Sequence, residues 1–552
     1  MRYLFPSILL PLVWTTIFLQ NTLAARILVI HALYSGSPLL TWRTAGEYFA
    51  QNGHHVHYLR WKDSHHHSPL PHENMTETVL TVNNKDGRFS YLTKEKEAGF
   101  DIPFDLLLQE GMSYTRIYYE SMKTYSMFYS ICDDLLGNKE LIRQLRRMDF
   151  HLAIVDLVGN ECTLPLTHHL GLPTVGFWGM QFASGETTLT TAFIPPSHAP
   201  NLLTKFGSEM TFPQRMVNTF AYVVSQAVVR GQCWILSGVV KKHLPGSPEP
   251  CSLIKELNGM LINSDHIMDT PQLLPPTFIR IGGIHIKKAK PLPKELDYWM
   301  QSAGDDGVVL FGVGYTINPK VLSKRFIQAF FQAAKRLPQK FLMKLEGHLE
   351  NVPSNVKIMS WIPQQDVLAH NATRLFVNHC GLQGVTEALY HAVPMVGLPI
   401  FLDQGDYLVK LVKHGVAIPL DRQTATAEVI YQTLRRALNN PSFKHNAKRL
   451  SKLMKDTPDK LTPQERALQL VEYLVRQKGA NHLKMHSRHL NFFQYFCIDI
   501  FVFVFTLLFT SYKLGKIVWR KVSSSKIQIQ IQTRKESSLF RKRVGGKIEK
   551  VL

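Results

Sequence analysis

Two neighbouring stretches of sequence decide the fold: residues 361–368 read WIPQQDVL, and residues 375–406 read LFVNHCGLQGVTEALYHAVPMVGLPIFLDQGD. The second stretch opens with an apolar run, Leu375 to Asn378, which predicts a buried strand because such a run suits a parallel sheet covered on both faces. The strand is expected to end at His379. That residue would then lie at the carboxyl edge of the sheet, where open parallel sheets bind their ligands.

The residues after this strand predict a site for a diphosphate. Gly381 and Gly384 indicate a turn that leads into a helix from Val385 to His391. A strand, a glycine-containing turn and a helix N-terminus present backbone N–H groups and the positive end of a helix dipole, which together suit a diphosphate. His379 is expected to donate a hydrogen bond to the same phosphate.

Side chains near the turn predict contacts with the rest of a nucleotide. Gln383 and Glu387 are four residues apart, so they are expected to share one face of the helix. A carboxylate one turn into such a helix can accept both hydroxyls of a ribose. Trp361 offers a flat face on which a base can stack, and Gln364 belongs to the same loop.

Strand and helix patterns repeat on both sides of a linker. In the first half we predict a strand over 26–30, a polar turn over 31–38, a helix over 44–52, and strands over 55–59 and 152–156. A second set begins near Gly307, and the intervening stretch from Gly282 to Pro293 is rich in Gly, Pro and Lys. We therefore predict an α/β protein with two Rossmann-like, doubly wound domains, residues 25–285 and 286–485, that face each other across a cleft.

The two ends of the chain predict a membrane topology. Residues 1–24 have a basic start, an apolar core and small residues at the end, which is typical of a cleaved signal peptide; an N-terminal anchor helix is the alternative. Residues 492–512 are mostly apolar and long enough to span a bilayer. The tail, residues 513–552, carries twelve Lys or Arg and two acids, so it is predicted to stay cytosolic as a disordered segment. These features predict a single-pass type I protein.

Composition excludes several classes of protein. Of the net charge of +21, the tail contributes +10, and the remaining 512 residues show no dense basic stripe, which argues against a nucleic-acid partner. A hydrophobic fraction of 45% excludes a disordered chain. Six Cys in 552 residues exclude a disulfide-dense scaffold, and the lack of a CxxC pair argues against a structural metal site.

The quoted segment resembles the signature of the UDP-glycosyltransferase family in its membrane-anchored animal branch. The shared pattern is W-x-P-Q, then H-x-G-x-x-G-x-x-E about fifteen residues later, then D-Q. The resemblance extends over about residues 26 to 515. It implies a GT-B fold, a UDP-sugar as co-substrate and no other cofactor or metal. It also implies inverting transfer of glucose or glucuronate to a small lipophilic acceptor by an enzyme of the endoplasmic reticulum membrane, in which copies could associate as a homo-oligomer.

The resemblance also implies a role for each matching residue. Trp361 would stack on uracil, Gln364 and Glu387 would bind the ribose, and His379 with the amides near Gly381 and Gly384 would hold the diphosphate. Asp403 and Gln404 would hold the sugar. Two residues depart from the family pattern: Tyr315 stands at a usual Ser position, and Gln383 replaces a common Asn. Both keep hydrogen-bonding capacity but change its reach, which affects the choice of sugar.

The catalytic base is the main departure from the family. The family uses a His after the first strand, oriented by an Asp that Asp156 matches, but the His position falls on Pro38. His31 is the nearest replacement; otherwise it is a structural histidine, Asp156 acts alone, or the acceptor is acidic enough to need little help. The sequence thus predicts a UDP-glycosyltransferase, with a UDP-sugar-binding pseudoenzyme as the alternative.

Overall fold

The structure is a computed structural model of the 552-residue chain. It describes residues 24–31, 37–61, 69–80, 129–157, 159–182, 190–314, 322–345, 349–400 and 403–548. Nearly all of the predicted signal peptide, as well as Tyr315, lies outside these ranges. The chain forms two compact units, one ending at Lys484 and one beginning at Met485.

The first sheet has seven parallel strands in the described residues, in the order β3-β2-β1-β4-β5-β6-β7. They are β1 Arg26–Ile30, β2 His55–Trp61, β3 Met75–Leu80, β4 Leu152–Asp156, β5 Thr174–Trp178, β6 Gly259–Ile262 and β7 Phe278–Arg280. The central strands are buried on both faces, which explains why their sequences are continuous apolar runs. Strand β1 lies beside β4, so the strand order reverses there and opens a crevice at their carboxyl ends.

The second sheet has six parallel strands in the described residues, in the order β10-β9-β8-β11-β12-β13. They are β8 Val308–Gly312, β9 Lys340–Lys344, β10 Val356–Met359, β11 Thr373–Asn378, β12 Met395–Gly397 and β13 Ala417–Pro419. Here the order reverses between β8 and β11. The predicted α/β architecture with two doubly wound sheets is confirmed.

Helices cover both sheets and connect their strands. In chain order they include α1 Ser37–Gln51, α2 Lys139–Arg147, α3 Thr163–His169, α4 Phe212–His243, α5 Pro250–Ile254, α6 Lys294–Gln301, α7 Lys324–Ala334, α8 Gln364–Ala369, α9 Leu382–Tyr390, α10 Gln404–Lys413, α11 Ala427–Asn439, α12 Pro441–Lys455 and α13 Pro463–Arg476. Helix α13 follows the second sheet in sequence, yet Ala467, Val471 and Leu474 pack in the core of the first sheet. The end of the chain's second half therefore returns to the first domain.

Two helices begin earlier than the sequence predicted. Helix α1 starts at Ser37, not Thr44, so Pro38 lies in its first turn. Proline is tolerated there because a first-turn N–H has no partner within the helix. Helix α9 starts at Leu382, not Val385, because Gly381 is its extended N-cap residue. Gly384 is consequently a helical residue and not part of the turn.

The second unit is dominated by one long helix. After the short helix α14 (Phe492–Tyr495), Cys497 adopts a positive φ of 55°, and helix α15 runs from Ile498 to Ile548. The predicted apolar segment is thus broken near its start. The prediction of a disordered tail is wrong for residues 513–548, which belong to α15; no proline interrupts residues 498–548. The part of α15 from Ile498 to Lys542 includes a segment that is long and apolar enough to cross a membrane.

Helix α4 is also long and apolar enough to cross a membrane, but part of it packs in the first domain. Its residues Leu236, Val239 and Val240 are buried in that domain, and Cys233 forms a disulfide with Cys251. A second disulfide joins Cys132 to Cys162 beside the same core, whereas Cys380 and Cys497 are free.

Candidate active site

His379 occupies a narrow slot at the carboxyl edge of the second sheet. It follows β11 directly and lies between Gly314, which follows β8, and Gly381. A Cβ atom at Gly314 would come within 2.6 Å of the imidazole, and one at Gly381 within 2.3 Å, so side chains at these positions would displace the ring. The pKa of His379 is lowered to about 4, mainly by burial; a hydrogen bond with the Gly312 backbone opposes this shift, and the nearby charge of Lys344 adds to it. The imidazole is therefore neutral at pH 7.

The start of helix α9 presents backbone amides beside this ring. The first amide bonded within the helix is that of Val385, which donates to the carbonyl of Gly381 at 3.0 Å. The amides that precede it in the helix point out of the helix end. The turn itself is held by the side chain of Asn378, whose Oδ1 accepts from the amide of Cys380 at 2.6 Å. This arrangement has the geometry of an anion-binding helix terminus.

Glu387 is a buried carboxylate held by two amide side chains. Gln364 Nε2 donates to Glu387 Oε2 at 2.6 Å, and Gln365 Nε2 donates to Oε1 at 3.3 Å. Gln364 lies between the end of β8 and α9, where Cβ positions at Gly312 and Gly384 come within 3.4 and 3.5 Å of its amide. The structure therefore brings together Gln364 and Glu387, the two residues to which the family resemblance gave a role at the ribose, and shows that Gln365 belongs to the same group.

Trp361 stands at the rim of this group, in the loop between β10 and α8. Its side chain is 62% exposed, which is unusual for tryptophan and leaves a ring face available for stacking.

Asp403 and Gln404 lie at the start of helix α10. Gln404 is buried, and its Oε1 accepts from the amide of Ile400 at 2.7 Å. Burial raises the pKa of Asp403 to about 6, while a hydrogen bond from the Tyr407 hydroxyl opposes the rise. The Asp403 carboxyl thus changes its protonation state near physiological pH.

Helix α10 also connects the two domains next to these residues. Asp406 accepts hydrogen bonds from the amides of Leu203 and Lys205 at 2.8 and 2.6 Å, and Lys410 Nζ donates to Gln181 Oε1 at 2.6 Å. Gln383 lies four residues before Glu387 in helix α9, and its side-chain amide donates to Thr41 of helix α1. The start of α9 therefore contacts the first domain through Gln383.

Lys344 is a residue that the sequence analysis missed. It ends strand β9, and its Nζ donates to the carbonyl of Gly314 at 3.1 Å, close enough to His379 to affect its pKa. A cation beside an anion-binding helix terminus would stabilise a diphosphate. Its position at the end of a strand is visible in the sequence. That this strand lies beside β8 is known only once the strand order is known.

In the first domain, the structure brings His31 and Asp156 together. His31 follows β1 and Asp156 ends β4, and because these strands are neighbours their carboxyl ends adjoin. His31 Nδ1 lies 3.7 Å from Asp156 Oδ2, with both side chains buried. This arrangement matches a base oriented by a carboxylate. Among the described residues, no group of three or more His, Cys, Asp or Glu is placed to hold a metal ion.

Comparison with solved structures shows which fold the chain adopts. The chain aligns with a UDP-glucosyltransferase from Polygonum tinctorium at a TM-score of 0.55 and 14% identity, covering 82% of this chain and 99% of that one. It aligns with the glycosyltransferase VinC, solved with dTDP, at a TM-score of 0.54 and 15% identity, covering 82% and 100%. The predicted GT-B glycosyltransferase fold is confirmed.

Comparison of sequences identifies the family. The model of the family described as UDP-glucoronosyl and UDP-glucosyl transferase matches residues 25–529. UDP-glucuronosyltransferase 2C1 of Oryctolagus cuniculus is 33% identical over 393 residues, which are 70% of this chain and 76% of that protein. UDP-glucuronosyltransferase 2B16 of the same species is 31% identical over 488 residues, 85% of this chain and 89% of that protein. The chain belongs to this family and is a UDP-sugar-dependent glycosyltransferase.

Proposed function

We propose that the enzyme transfers glucose or glucuronate from its UDP-sugar to the hydroxyl of a small lipophilic acceptor, with inversion and without a metal. The observation that carries the donor site is the cluster of His379, Glu387 and the amide-rich start of α9 at one edge of the second sheet. His379 and the α9 amides can donate hydrogen bonds to a diphosphate, and the Glu387 carboxylate can accept them from ribose hydroxyls. The names of the related UDP-glucuronosyltransferases support testing UDP-glucuronate first.

Each part of the UDP-sugar contacts its own side chains in this proposal. Uracil stacks on Trp361, and the ribose hydroxyls donate to Glu387, whose orientation Gln364 maintains. Neutral His379 donates one hydrogen bond to the diphosphate. The sugar hydroxyls meet Asp403 and Gln404, and Tyr315 and Gln383 are the positions at which sugar preference is adjusted.

Three groups hold the diphosphate and stabilise its charge. They are the α9 amides, His379 and the Lys344 ammonium group, which carries a positive charge at the same edge of the sheet. As the bond to the sugar breaks, UDP gains negative charge, and these groups stabilise it in the role that a metal ion serves in other transferases.

Transfer is a direct displacement in which His31 is the general base. The imidazole of His31 removes the proton of the acceptor hydroxyl while the acceptor oxygen forms a bond to the anomeric carbon. The bond from that carbon to the UDP oxygen breaks, and UDP leaves with the electron pair. Asp156, 3.7 Å from the ring, stabilises the imidazolium that forms. Pro38 takes no part in proton transfer.

Turnover tests this proposal directly. Membranes containing the full chain are incubated with labelled UDP-glucuronate or UDP-glucose and a panel of phenols, and the glycoside is measured against a Glu387→Ala variant. Product with inverted configuration, formed in the presence of EDTA, is the expected result. Binding of UDP without any glycoside would leave the pseudoenzyme as the function, and EDTA-sensitive turnover would refute metal independence.

We further propose that the catalytic domains lie in the lumen of the endoplasmic reticulum, with α15 crossing the membrane and the basic tail in the cytosol. Two disulfides in the first domain support an oxidising compartment, and basic residues follow the apolar part of α15. Asn74 and Asn371 begin Asn-x-Thr sequons, which only a luminal domain would carry as glycans. A mobility shift on endoglycosidase H treatment, lost in the Asn74→Gln/Asn371→Gln double variant, is expected; cytosolic protease sensitivity of the sheets would refute the topology.

A further inference from the structure

His285 is a linker residue whose side chain is buried against the proposed ribose site. It lies between the two sheets in sequence, in the segment Gly282–Pro293, and its side chain is 1% exposed. Its Nε2 atom is 3.5 Å from Oε1 of Glu387. Neither ring nitrogen of His285 has a hydrogen-bond partner among the described residues. Buried polar atoms are normally hydrogen-bonded, so an unpaired imidazole that faces a functional carboxylate requires an explanation.

The two oxygens of Glu387 are unequally held by the rest of the protein. Oε2 accepts a short bond of 2.6 Å from Gln364, whereas Oε1 accepts only a long bond of 3.3 Å from Gln365. The amide group of Gln365 is shared, because it also donates to the backbone carbonyl of His285 at 3.1 Å. The Nε2 atom of His285 is thus a second nitrogen that faces Oε1, at a distance of 3.5 Å.

The linker around His285 is attached to helix α8, which begins with both glutamines. Gln365 Oε1 accepts from the amide of Lys287 at 3.1 Å, and Asp366 Oδ1 accepts from the amide of Lys290 at 2.8 Å. Gln464 of helix α13 donates to the carbonyl of Ile284 at 2.7 Å. These backbone contacts hold the linker on both sides of His285 and direct its ring towards Glu387.

We propose that His285 is a positioning residue for the ribose contact: when the UDP-sugar binds, its Nε2–H closes the 3.5 Å separation to Oε1 of Glu387 and holds the carboxylate so that it presents one acceptor site of each oxygen to the ribose hydroxyls. A carboxylate offers about four acceptor sites. Gln364 occupies one site of Oε2. At Oε1 His285 takes the place of the long bond from Gln365, whose amide group keeps its shorter bond to the carbonyl of His285. One site of each oxygen then remains for the 2′- and 3′-hydroxyls. This inference rests on the proposed function, because it assumes that Glu387 binds the ribose.

The proposal is tested with UDP and 2′,3′-dideoxy-UDP as competing inhibitors of the full-length enzyme in membranes. The wild type is expected to bind UDP at least about tenfold more tightly than the dideoxy analogue, since hydrogen bonds to a charged group are lost. His285→Leu, which removes the donor, is expected to reduce that ratio about fivefold while leaving the affinity for the analogue within twofold. The KM for the UDP-sugar rises accordingly, and kcat at saturating donor stays within about twofold.

Two further variants separate positioning from a structural role. His285→Gln can place an amide nitrogen near the Nε2 position, so it is expected to restore the ratio, whereas the shorter His285→Asn is expected to behave like His285→Leu. His370→Leu is the matched control, because His370 also contacts a carboxylate, Asp297, at 3.1 Å but lies at the far end of α8. That variant is expected to leave the ratio unchanged.

The outcomes distinguish the inference from the function on which it rests. Equal weakening of UDP and the dideoxy analogue by His285→Leu and His285→Asn would show a structural role and overturn the inference, as would an unchanged ratio. A wild-type enzyme that transfers sugar but does not discriminate between the two inhibitors would overturn the role of Glu387 and the inference with it. Loss of UDP binding in the wild type itself would refute the proposed donor site as a whole.

Discussion

Replacing Asp156 with asparagine tests the proposed base while leaving its imidazole in place. Asparagine has nearly the shape of aspartate but lacks the charge that would stabilise a protonated His31. The two side chains are both buried, and His31 Nδ1 is 3.7 Å from Asp156 Oδ2. The substitution therefore removes an electrostatic interaction from a site with little exposure to water.

The distance sets the expected size of the effect. At 3.7 Å and an effective dielectric constant of about 20, two unit charges attract by about 4 kcal/mol. That energy corresponds to a factor of about 10³ in rate. A loss of about 10³-fold also falls within the 10²–10⁴-fold range that general-base catalysis typically contributes.

The assay measures kcat and the KM for the UDP-sugar with a series of phenols of decreasing pKa. Asp156→Asn is expected to lower kcat about 10³-fold with ordinary phenols, and by less with acidic phenols, which need less help to lose their proton. UDP affinity is expected to stay the same. The control is Asp133→Asn, which breaks another His–carboxylate pair, with His243 at 2.8 Å, and is expected to leave kcat unchanged.

His31→Gln completes the test. It is expected to lose about as much activity as Asp156→Asn, and the double variant little more, because the two residues act as one unit. If Asp156→Asn and His31→Gln each lower kcat less than about threefold relative to the wild type, His31 is not the base, because a general base contributes far more than that to the rate.

Three other expectations concern the donor site and the fold. Trp361→Ala is expected to raise the Kd for UDP about 5- to 150-fold, as loss of stacking worth about 1–3 kcal/mol predicts, with little change in Tm because the ring is exposed; an unchanged Kd would contradict base stacking. Since burial raises the pKa of Asp403 to about 6, its carboxylate is lost as the pH falls through 6, so UDP-sugar affinity should decrease from pH 7.5 to 5 in the wild type but stay flat in Asp403→Asn. Between about pH 4 and 6 the Asp403 carboxyl binds a proton more tightly in the folded than in the unfolded state, so its protonation stabilises the fold. Unfolding caused by this group therefore cannot explain a loss of UDP-sugar affinity at low pH. Replacing Cys233 and Cys251 by alanine should lower the free energy of unfolding by about 3 kcal/mol, measured by thermal unfolding, because the bridge closes a loop of 18 residues; an unchanged Tm would argue against the bond.

Local pattern was sufficient for much of the architecture. Apolar runs such as Arg26–Ile30 and Leu152–Asp156 predicted buried strands correctly, since a strand buried on both faces needs an uninterrupted apolar sequence. The family resemblance gave Gln364 and Glu387 a role at the same ribose, and the structure shows these two side chains in contact. Helix starts were less accurate: α1 begins at Ser37 and not at Thr44, because apolar periodicity marks the buried face of a helix but not its first residue.

The order of amino acids was enough to define the class of the protein: two doubly wound sheets, a helix terminus suited to a diphosphate and an apolar helix near the C-terminus. Which distant residues meet depended on the folded chain. His31 and Asp156 are 125 positions apart and adjoin because β1 lies beside β4; Lys344 and His285 reach the donor site through strand order and the path of the linker. Hydrophobic periodicity is a local property and can be seen in sequence, whereas contacts across a sheet depend on how the whole chain packs.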